Sequence, residues 1–321
     1  MTADTIGRRA FLKTTGAAAL AAAGAIDMQE AFAQHAVPNS AGSEAPKLTA
    51  PANACDCHMH IYDDRFPPVR PGSRMQTNAT VNAYQLLQKR LGTTRVVIVT
   101  PAVYVTDNRV TLDAIAQLGT SARGVAVVTP EVTDAELKRM ADGGIRGIRF
   151  TQFDPATATT TLDMIEPLSK RVNEMGWHVQ IHLRGDQIAA AADLLQRLPS
   201  TVVFDHMGRL PQPDGTGHAA YRVIRQMLDK GRTWVKLSGV YLDTKVGPPG
   251  YADAVKVAET YFKAAPERMV WGSDWPHPTE KDKPNDAVLF DLVAEWAPDE
   301  TARRRVLVDN PAALYGFAKT S

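Results

Sequence analysis

The sequence reads as an α/β chain, a (β/α)8 TIM barrel forming a single domain behind an N-terminal export signal. Three observations lead there. Eight short β-branched runs recur between residues 54 and 275, separated by longer stretches with helical patterning. A chain of 321 residues with 44% hydrophobic content can bury a core of that size. No glycine-rich phosphate turn follows an early run, which counts against the runner-up, a doubly wound open sheet.

The elements can be justified in order. Arg8-Arg9, then Phe11-Leu12-Lys13, introduce a weakly apolar run rich in alanine and glycine, and Ala31-Phe32-Ala33 supplies a small-x-small site. This resembles a twin-arginine signal peptide over residues 1–33, which implies the twin-arginine translocase as partner and a bacterial periplasmic location. The alternative is an uncleaved anchor, but the run falls short of the ~20 strongly apolar residues that a span requires. No stable membrane insertion is therefore expected once the signal is cleaved. Residues 34–50, rich in Ala, Ser and Pro, read as a disordered linker, and the barrel takes 51–321.

The eight runs are "ACDCHMHI" (54–61), "RVVIVTPAV" (95–103), "RGVAVVTP" (123–130), "IRGIRF" (145–150), "HVQIHL" (178–183), "TVVFDHM" (201–207), "TWVKLSG" (233–239) and "RMVWGSDW" (268–275). Between them lie helix patterns such as "VNAYQLLQKR", "TLDMIEPLSKRVNEMG" and "DQIAAAADLLQRL"; in the last, Ile188, Ala191, Ala192 and Leu195 share one face. A formal net charge of +1 gives no reason to expect nucleic acid or an anionic membrane surface, so the partner is a small-molecule substrate. Two cysteines cannot build a disulfide framework.

In such a barrel the C-terminal ends of the strands converge on one mouth, where active sites of this fold lie. His58 and His60 end the first strand, His182 the fifth, Asp205 and His206 the sixth, and Asp274 the eighth. One such residue would read as a satisfied core histidine; a set arriving independently at one mouth reads as chemistry. Strict alternation puts Asp56, His58 and His60 on the inward face, and Cys55, Cys57 and Met59 outward against the helices. The cysteines are then reduced core residues, and one residue between them is too few for covalent haem.

These ends belong to longer motifs: "DCHMHIYDDRFP", "RGIRF", "GWHVQIH", "FDHMGR", "WVKLSGVY", "VWGSDWPHP" and "LVDNPAALYGF", spanning residues 56–317. On them the chain resembles the amidohydrolase superfamily (amidohydrolase family 2), in particular the 2-pyrone-4,6-dicarboxylate lactonase branch. The resemblance implies catalytic roles for His58, His60, His206 and Asp274, with Asp274 the general base that activates water. In the wider superfamily the positions of His58, His60, His182 and Asp274 hold one divalent ion, commonly zinc, whereas the pyrone lactonase branch works without metal; both remain open. Arg146 and Arg149 stand where a carbamylated lysine would be needed for a binuclear centre.

Arg149, nearer the strand end than Arg146, is the candidate grip for a substrate carboxylate. Tyr104, Asp107 and Asn108 after the second strand and Tyr241 after the seventh are candidate substrate contacts. His277 is expected behind the site, Asp205 on the opposite face from His206 in a structural role, His178 too deep to reach the mouth, and His218 in an exposed loop. Leu242 and Asp243 occupy the neighbourhood where the branch carries a carboxylate-binding arginine. That favours a neutral or monoanionic lactone, such as a sugar-derived one, over a dicarboxylate pyrone. The expected function is an exported hydrolase opening a lactone by water attack. The alternatives are a metal-dependent decarboxylase or hydratase on the same barrel, or a non-catalytic exported binding protein.

Overall fold

The computed structural model of the protein describes residues 36–70, 72–73 and 75–318. The export signal expected over residues 1–33 lies outside them. Eight parallel strands follow one another in sequence order: β1 Cys55–Met59, β2 Arg95–Val99, β3 Ala122–Ala126, β4 Ile145–Thr151, β5 His178–His182, β6 Val202–Phe204, β7 Thr233–Leu237 and β8 Met269–Trp271. Helices return the chain between them: α1 Val81–Leu91, α2 Arg109–Leu118, α3 Asp134–Asp142, α4 Leu162–Glu174, α5 Gly185–Ala190 with α6 Ala192–Arg197, α7 Ala219–Asp229 and α8 Ala252–Ala264. Four short helices follow β8: α9 Asp286–Asp291, α10 Val293–Trp296, α11 Glu300–Arg304 and α12 Asn310–Tyr315. This is the (β/α)8 barrel that the sequence predicts. The alanine-rich helix expected over 186–198 is broken at Ala191 (φ −91°, ψ 12°) into α5 and α6.

Two apolar layers hold it. Outward residues such as Val96, Ile98, Ile148, Val179, Phe204, Leu237 and Trp271 pack under the helices against Tyr84, Leu87, Ile165 and Leu168. Inward residues, among them Val97, Val99, Val125, Val203 and Val270, fill the lower barrel, and Tyr315 and Phe317 plug its base. Helix α1 illustrates the local logic. Thr80 accepts from the Ala83 N–H at its start, Gly92 ends it in the left-handed region, and Val81, Tyr84, Leu87 and Leu91 form the buried face.

The first and last strands meet through main-chain bonds just past β8. The Asp274 N–H donates to the His58 carbonyl at 2.7 Å, and the His60 N–H donates to the Trp275 carbonyl at 2.8 Å. Gly272 permits that approach, because a Cβ there would stand 2.7 Å from the His58 nitrogen.

Residues 36–50 depart from the disordered linker that composition suggests. The Pro38 carbonyl accepts from Trp275 Nε1–H at 2.7 Å, the Ala41 N–H donates to the Pro284 carbonyl, and Leu48 N–H donates to Asp291 Oδ1. Arg90 binds the carbonyls of Ala41 and Glu44. Fixed main-chain partners, not apolar bulk, hold this strap, so its composition gave no sign of order.

Candidate active site

The end of β1 does not alternate as expected. Asp56 pairs with Val96, yet Met59 pairs with Ile98, so three steps on β1 oppose two on β2. This bulge inserts one residue and resets the faces. Cys55 and Cys57 therefore point inward, packed with Val97, Val203 and Val270 beneath the mouth, and Asp56 points outward. Asp56 accepts from Tyr84 Oη–H, Ser273 Oγ–H and the main-chain N–H groups of Ser273 and His58. Burial raises its pKa to about 6 despite those donors. Past the bulge, both His58 and His60 face the mouth.

At the end of β6, Asp205 is still extended, and the next four residues, His206 to Arg209, all adopt positive φ between 47° and 73°. Left-handed backbone at the three non-glycine positions costs about 1–3 kcal/mol each. It turns His206 and Arg209 into the mouth while Asp205 keeps the inward direction of the strand. Asp274 (φ 62°) is similarly held after β8.

Three imidazoles converge on one carboxylate oxygen. The Nε2 atoms of His60, His58 and His206 lie 3.4, 3.6 and 3.9 Å from Asp274 Oδ1. Asp274 Oδ2 accepts the Tyr241 hydroxyl at 2.7 Å, and that hydroxyl lies 2.9 Å from His277 Nδ1, whose ring reaches Asp286 at 3.0 Å through Nε2. His277 thus stands behind the site, as expected.

The histidine tautomers depend on their far sides. A carbonyl only accepts, so His60 Nδ1–H donates to Val99 at 2.8 Å. His58 Nδ1 stands between an acceptor and a donor, 3.2 Å from Asp205 Oδ1 and 3.3 Å from Lys236 Nζ, so these neighbours allow either tautomer. His206 Nδ1 meets Ser238 Oγ at 2.9 Å. In a neutral His60 ring the Nε2 lone pair therefore faces the Asp274 carboxylate, and His58 Nε2 is buried without a hydrogen-bond partner among the described residues. Burial first, opposed by Asp205, lowers the His58 pKa to about 3, so this ring is neutral. Such an electron-rich set is chemically suited to a cation. His58, His206 and Asp274 each offer an atom, all within 4.8 Å of one another, and His60 borders them.

Asp205 lies directly beneath the converging set. It faces away from His206 as alternation required, but its carboxylate accepts from Arg149 Nε (2.9 Å) and Gln180 Nε2 (3.0 Å), lies 3.2 Å from His58 Nδ1, and has Lys236 Nζ at 3.8 Å. Lys236 also donates to the Cys57 carbonyl and Gln180 Oε1, and burial brings its pKa down to about 8.

The remaining expected residues separate into two groups. Arg149 is buried; its Nε is committed to Asp205, and its Nη atoms make no hydrogen bond among the described residues. Tyr241 contacts the centre directly. Tyr104 and Asn108 do not: the Tyr104 hydroxyl accepts the Asp63 N–H, and the Asn108 amide is saturated by Thr100, Thr106 and Val127. Both residues brace the mouth loops. Asp107 pairs with Arg109. His182 packs edge-on against His206 at 5.3 Å but is not among the groups that share Asp274 Oδ1. Its Nε2 lies 3.4 Å from Arg209 Nη1, a donor, and its ring stacks on Phe153 at 5.4 Å. His178 is buried deep against Tyr315, as its early position implied. His218 is a half-buried helix cap that accepts the Ala220 N–H, not an exposed loop residue.

Sequence reasoning missed Arg209 and Tyr62. Arg209, in "DHMGR", grips Asp243 with Nε and Nη2 at 2.6 and 3.0 Å and lies over the Phe153 ring. Asp243 therefore holds an arginine at the mouth. Tyr62, two positions past His60, is buried near Asp274 and Arg149; burial first and then the Asp274 charge raise its pKa, leaving a neutral O–H.

The sequence model of the family described as amidohydrolase matches residues 55–317. The chain belongs to the amidohydrolase family. A 2-pyrone-4,6-dicarboxylate hydrolase of Comamonas testosteroni is 32% identical over 286 residues, covering 86% of this chain and 94% of that one. A 4-sulfomuconolactone hydrolase of Rhizobium radiobacter is 32% identical, covering 83% and 91%. A crystal structure from Agrobacterium tumefaciens, in its apo form, superposes with a TM-score of 0.81 at 29% identity, covering 88% of this chain and 99% of that one. With lactone hydrolases among its relatives, this amidohydrolase is a hydrolase of lactone or ester bonds acting on a small molecule.

Proposed function

We propose that this amidohydrolase is an exported lactonase in which Asp274 is the general base. The observation that carries the reading is the division of labour on one carboxylate: Oδ2 is fixed by the Tyr241 hydroxyl while Oδ1 faces His58, His60 and His206. A water on the Oδ1 side can give up its proton there as it attacks a ring carbonyl, and the protonated Asp274 can return that proton to the departing alkoxide. Tyr62 supplies a neutral O–H near the same point, and Arg149 offers its free Nη atoms to one carboxylate on the substrate. One arginine free for that purpose, with Arg209 held by Asp243, supports a neutral or monoanionic lactone.

The donor set also suits one divalent ion, zinc by ligand type, drawn from His58, His60, His206 and Asp274. Such an ion, when bound, would polarise the carbonyl and acidify water. His182, expected as a ligand, is better matched to substrate contact, since its Nε2 faces Arg209. Export rests on Arg8-Arg9 and the run that follows.

The test is a panel of lactones followed by acid release, with carbon dioxide release from unsaturated acids measured alongside. Elemental analysis and chelation with metal return would accompany it. Lactone opening is the expected result. Carbon dioxide release without lactone opening would overturn the reading, and full activity in metal-free protein would remove the ion.

A further inference from the structure

Among the described residues Asp274 has one firm side-chain hydrogen bond, the 2.7 Å contact of Oδ2 with the Tyr241 hydroxyl. The imidazole nitrogens stand 3.4 to 3.9 Å from Oδ1, beyond the roughly 2.7–3.2 Å of a good N–H···O bond. The last torsion of an aspartate is broad, so its rotamer does not set the plane of the carboxylate. The Tyr241 hydroxyl sets it. Tyr241, however, is half-buried in the loop after β7, and its hydroxyl is held from the other side by His277 Nδ1 at 2.9 Å.

The chain continues inward. His277 Nε2 lies 3.0 Å from Asp286 Oδ2, and both residues are fully buried. With Nε2 turned to Asp286, Nδ1 is turned to the tyrosine oxygen, and the ring cannot rotate without breaking both contacts. Asp286 is the first residue of α9, and its own N–H donates to Ser40 Oγ. Two features separate this arrangement from ordinary packing. Asp274 and His277 have φ of 62° and 53°, left-handed and strained for non-glycine residues, and the His277 N–H closes the turn on the Asp274 carbonyl at 2.8 Å. The second feature is the carboxylate of Asp286. Asp56, equally buried, takes the hydroxyls of Tyr84 and Ser273 and two main-chain N–H groups. Asp286 gives Oδ2 to His277 alone, and its Oδ1 is buried without a partner among the described residues. A buried carboxylate so poorly satisfied is a weak stabiliser and calls for another reason to be there.

We propose that His277 and Asp286 are positioning residues: from α9 they fix, through the Tyr241 hydroxyl, the plane of the Asp274 carboxylate, and so present Oδ1 to the imidazoles. The effect on turnover rests on the lactonase reading above. Cutting the chain frees the carboxylate to turn while the substrate contacts stay in place, so kcat falls and KM does not move.

The test uses the lactone with the highest turnover in the panel above, with crystal structures and melting temperatures of each variant. The paired variant His277→Phe with Asp286→Leu cuts the chain and leaves no lone buried charge, whereas Asp286→Asn keeps an oxygen for His277. The pair should lose about 2- to 13-fold in kcat, the worth of one hydrogen bond, with KM and the Asp286→Asn protein both within about twofold of wild type. On a Tyr241→Phe background the chain is already cut, and the pair should change kcat by less than about twofold. Equal losses on both backgrounds, or no loss on either, overturn the proposal and leave the lactonase reading standing. If no lactone is opened, that reading has failed and the crystal structures decide. A broken Tyr241–Asp274 contact or a turned carboxylate in the paired variant supports the positioning role, and both unchanged overturn it. Should the pair not fold, His277→Gln replaces it in every arm, because glutamine can still reach Asp286 but places no atom at Nδ1.

Discussion

Replacing Asp205 by asparagine would remove one charge and almost no volume, yet it strikes the layer beneath the reactive carboxylate. In the folded protein this buried oxygen pair receives Arg149 and Gln180 on Oδ2, and faces His58 and Lys236 from Oδ1. Two donors already claim Oδ2, so the amide oxygen must stay there and the NH2 group must take the place of Oδ1, against His58 Nδ1. Lys236 Nζ already lies 3.3 Å from that nitrogen, so with donors on both sides it can only accept, and the ring proton is confined to Nε2, toward Asp274 Oδ1 3.6 Å away. A lone pair at Nε2, which the ring would need to hold a cation, is then excluded. A carboxylate-to-amide change behind the histidine of a catalytic triad costs about 10⁴-fold through the same tautomer fault, and a loss of about 10³–10⁴ in kcat/KM is expected here.

Stability also falls. Lys236, already at about 8, can shed its proton, but Arg149 cannot, so one buried cation is left without its counter-charge. Breaking a buried pair in this way costs about 3–5 kcal/mol, or roughly 6–20 °C in Tm for a domain this large. Steady-state kinetics and thermal melts on the same preparation separate the two effects. A folded Asp205→Asn protein that keeps kcat/KM within about tenfold of wild type would refute the tautomer argument.

Asp274→Asn should fold and lose about 10²–10⁴ of its turnover, because an amide cannot take the proton from water; near-normal turnover would exclude it as the base. His178 titrates at about 3 in the folded barrel, chiefly through burial, against ~6.5 unfolded. Its contribution is thus complete above pH 6.5 and lost as pH falls toward 3, at about 1.4 kcal/mol per unit. Between pH 7 and 5, urea unfolding should show the wild type losing about 2 kcal/mol more than His178→Leu, and parallel pH profiles would count against this. Exchanging Arg8 and Arg9 for lysine should strand precursor in the cytoplasm, and undiminished periplasmic recovery in fractionated cells would point to another route.

The barrel was legible because its signal is repetitive: eight β-branched runs need only be counted. The ends of the strands were legible as positions, which is why His58, His60, His206 and Asp274 come together. What alternation could not supply was direction wherever the backbone breaks its own rule. The bulge in β1 exchanged the faces of Asp56 and Cys57, and it is specified by pairing with β2, not by any residue within "CDCHMH". Tyr104 and Asn108 are polar, near the mouth and absorbed by main-chain partners that no local pattern reveals. The order of residues 36–50 depends on partners far along the chain, such as Trp275 and Pro284, and long-range main-chain bonding leaves no compositional trace.

A cylinder of strands has no free edge except where its ends are joined, and here the join is made by the backbone of Asp274, the proposed base. The Asp274 N–H that closes the barrel onto His58, and the Trp275 carbonyl that takes the His60 N–H, tie Asp274 and the histidine pair into one weld. Loosening that weld by heat or denaturant would separate Asp274 from both histidines while the other seven strand pairings stayed zipped. Under the proposed mechanism, catalysis is therefore a sensor of the seam, silenced by a local parting that spectroscopy of helices and strands would scarcely register.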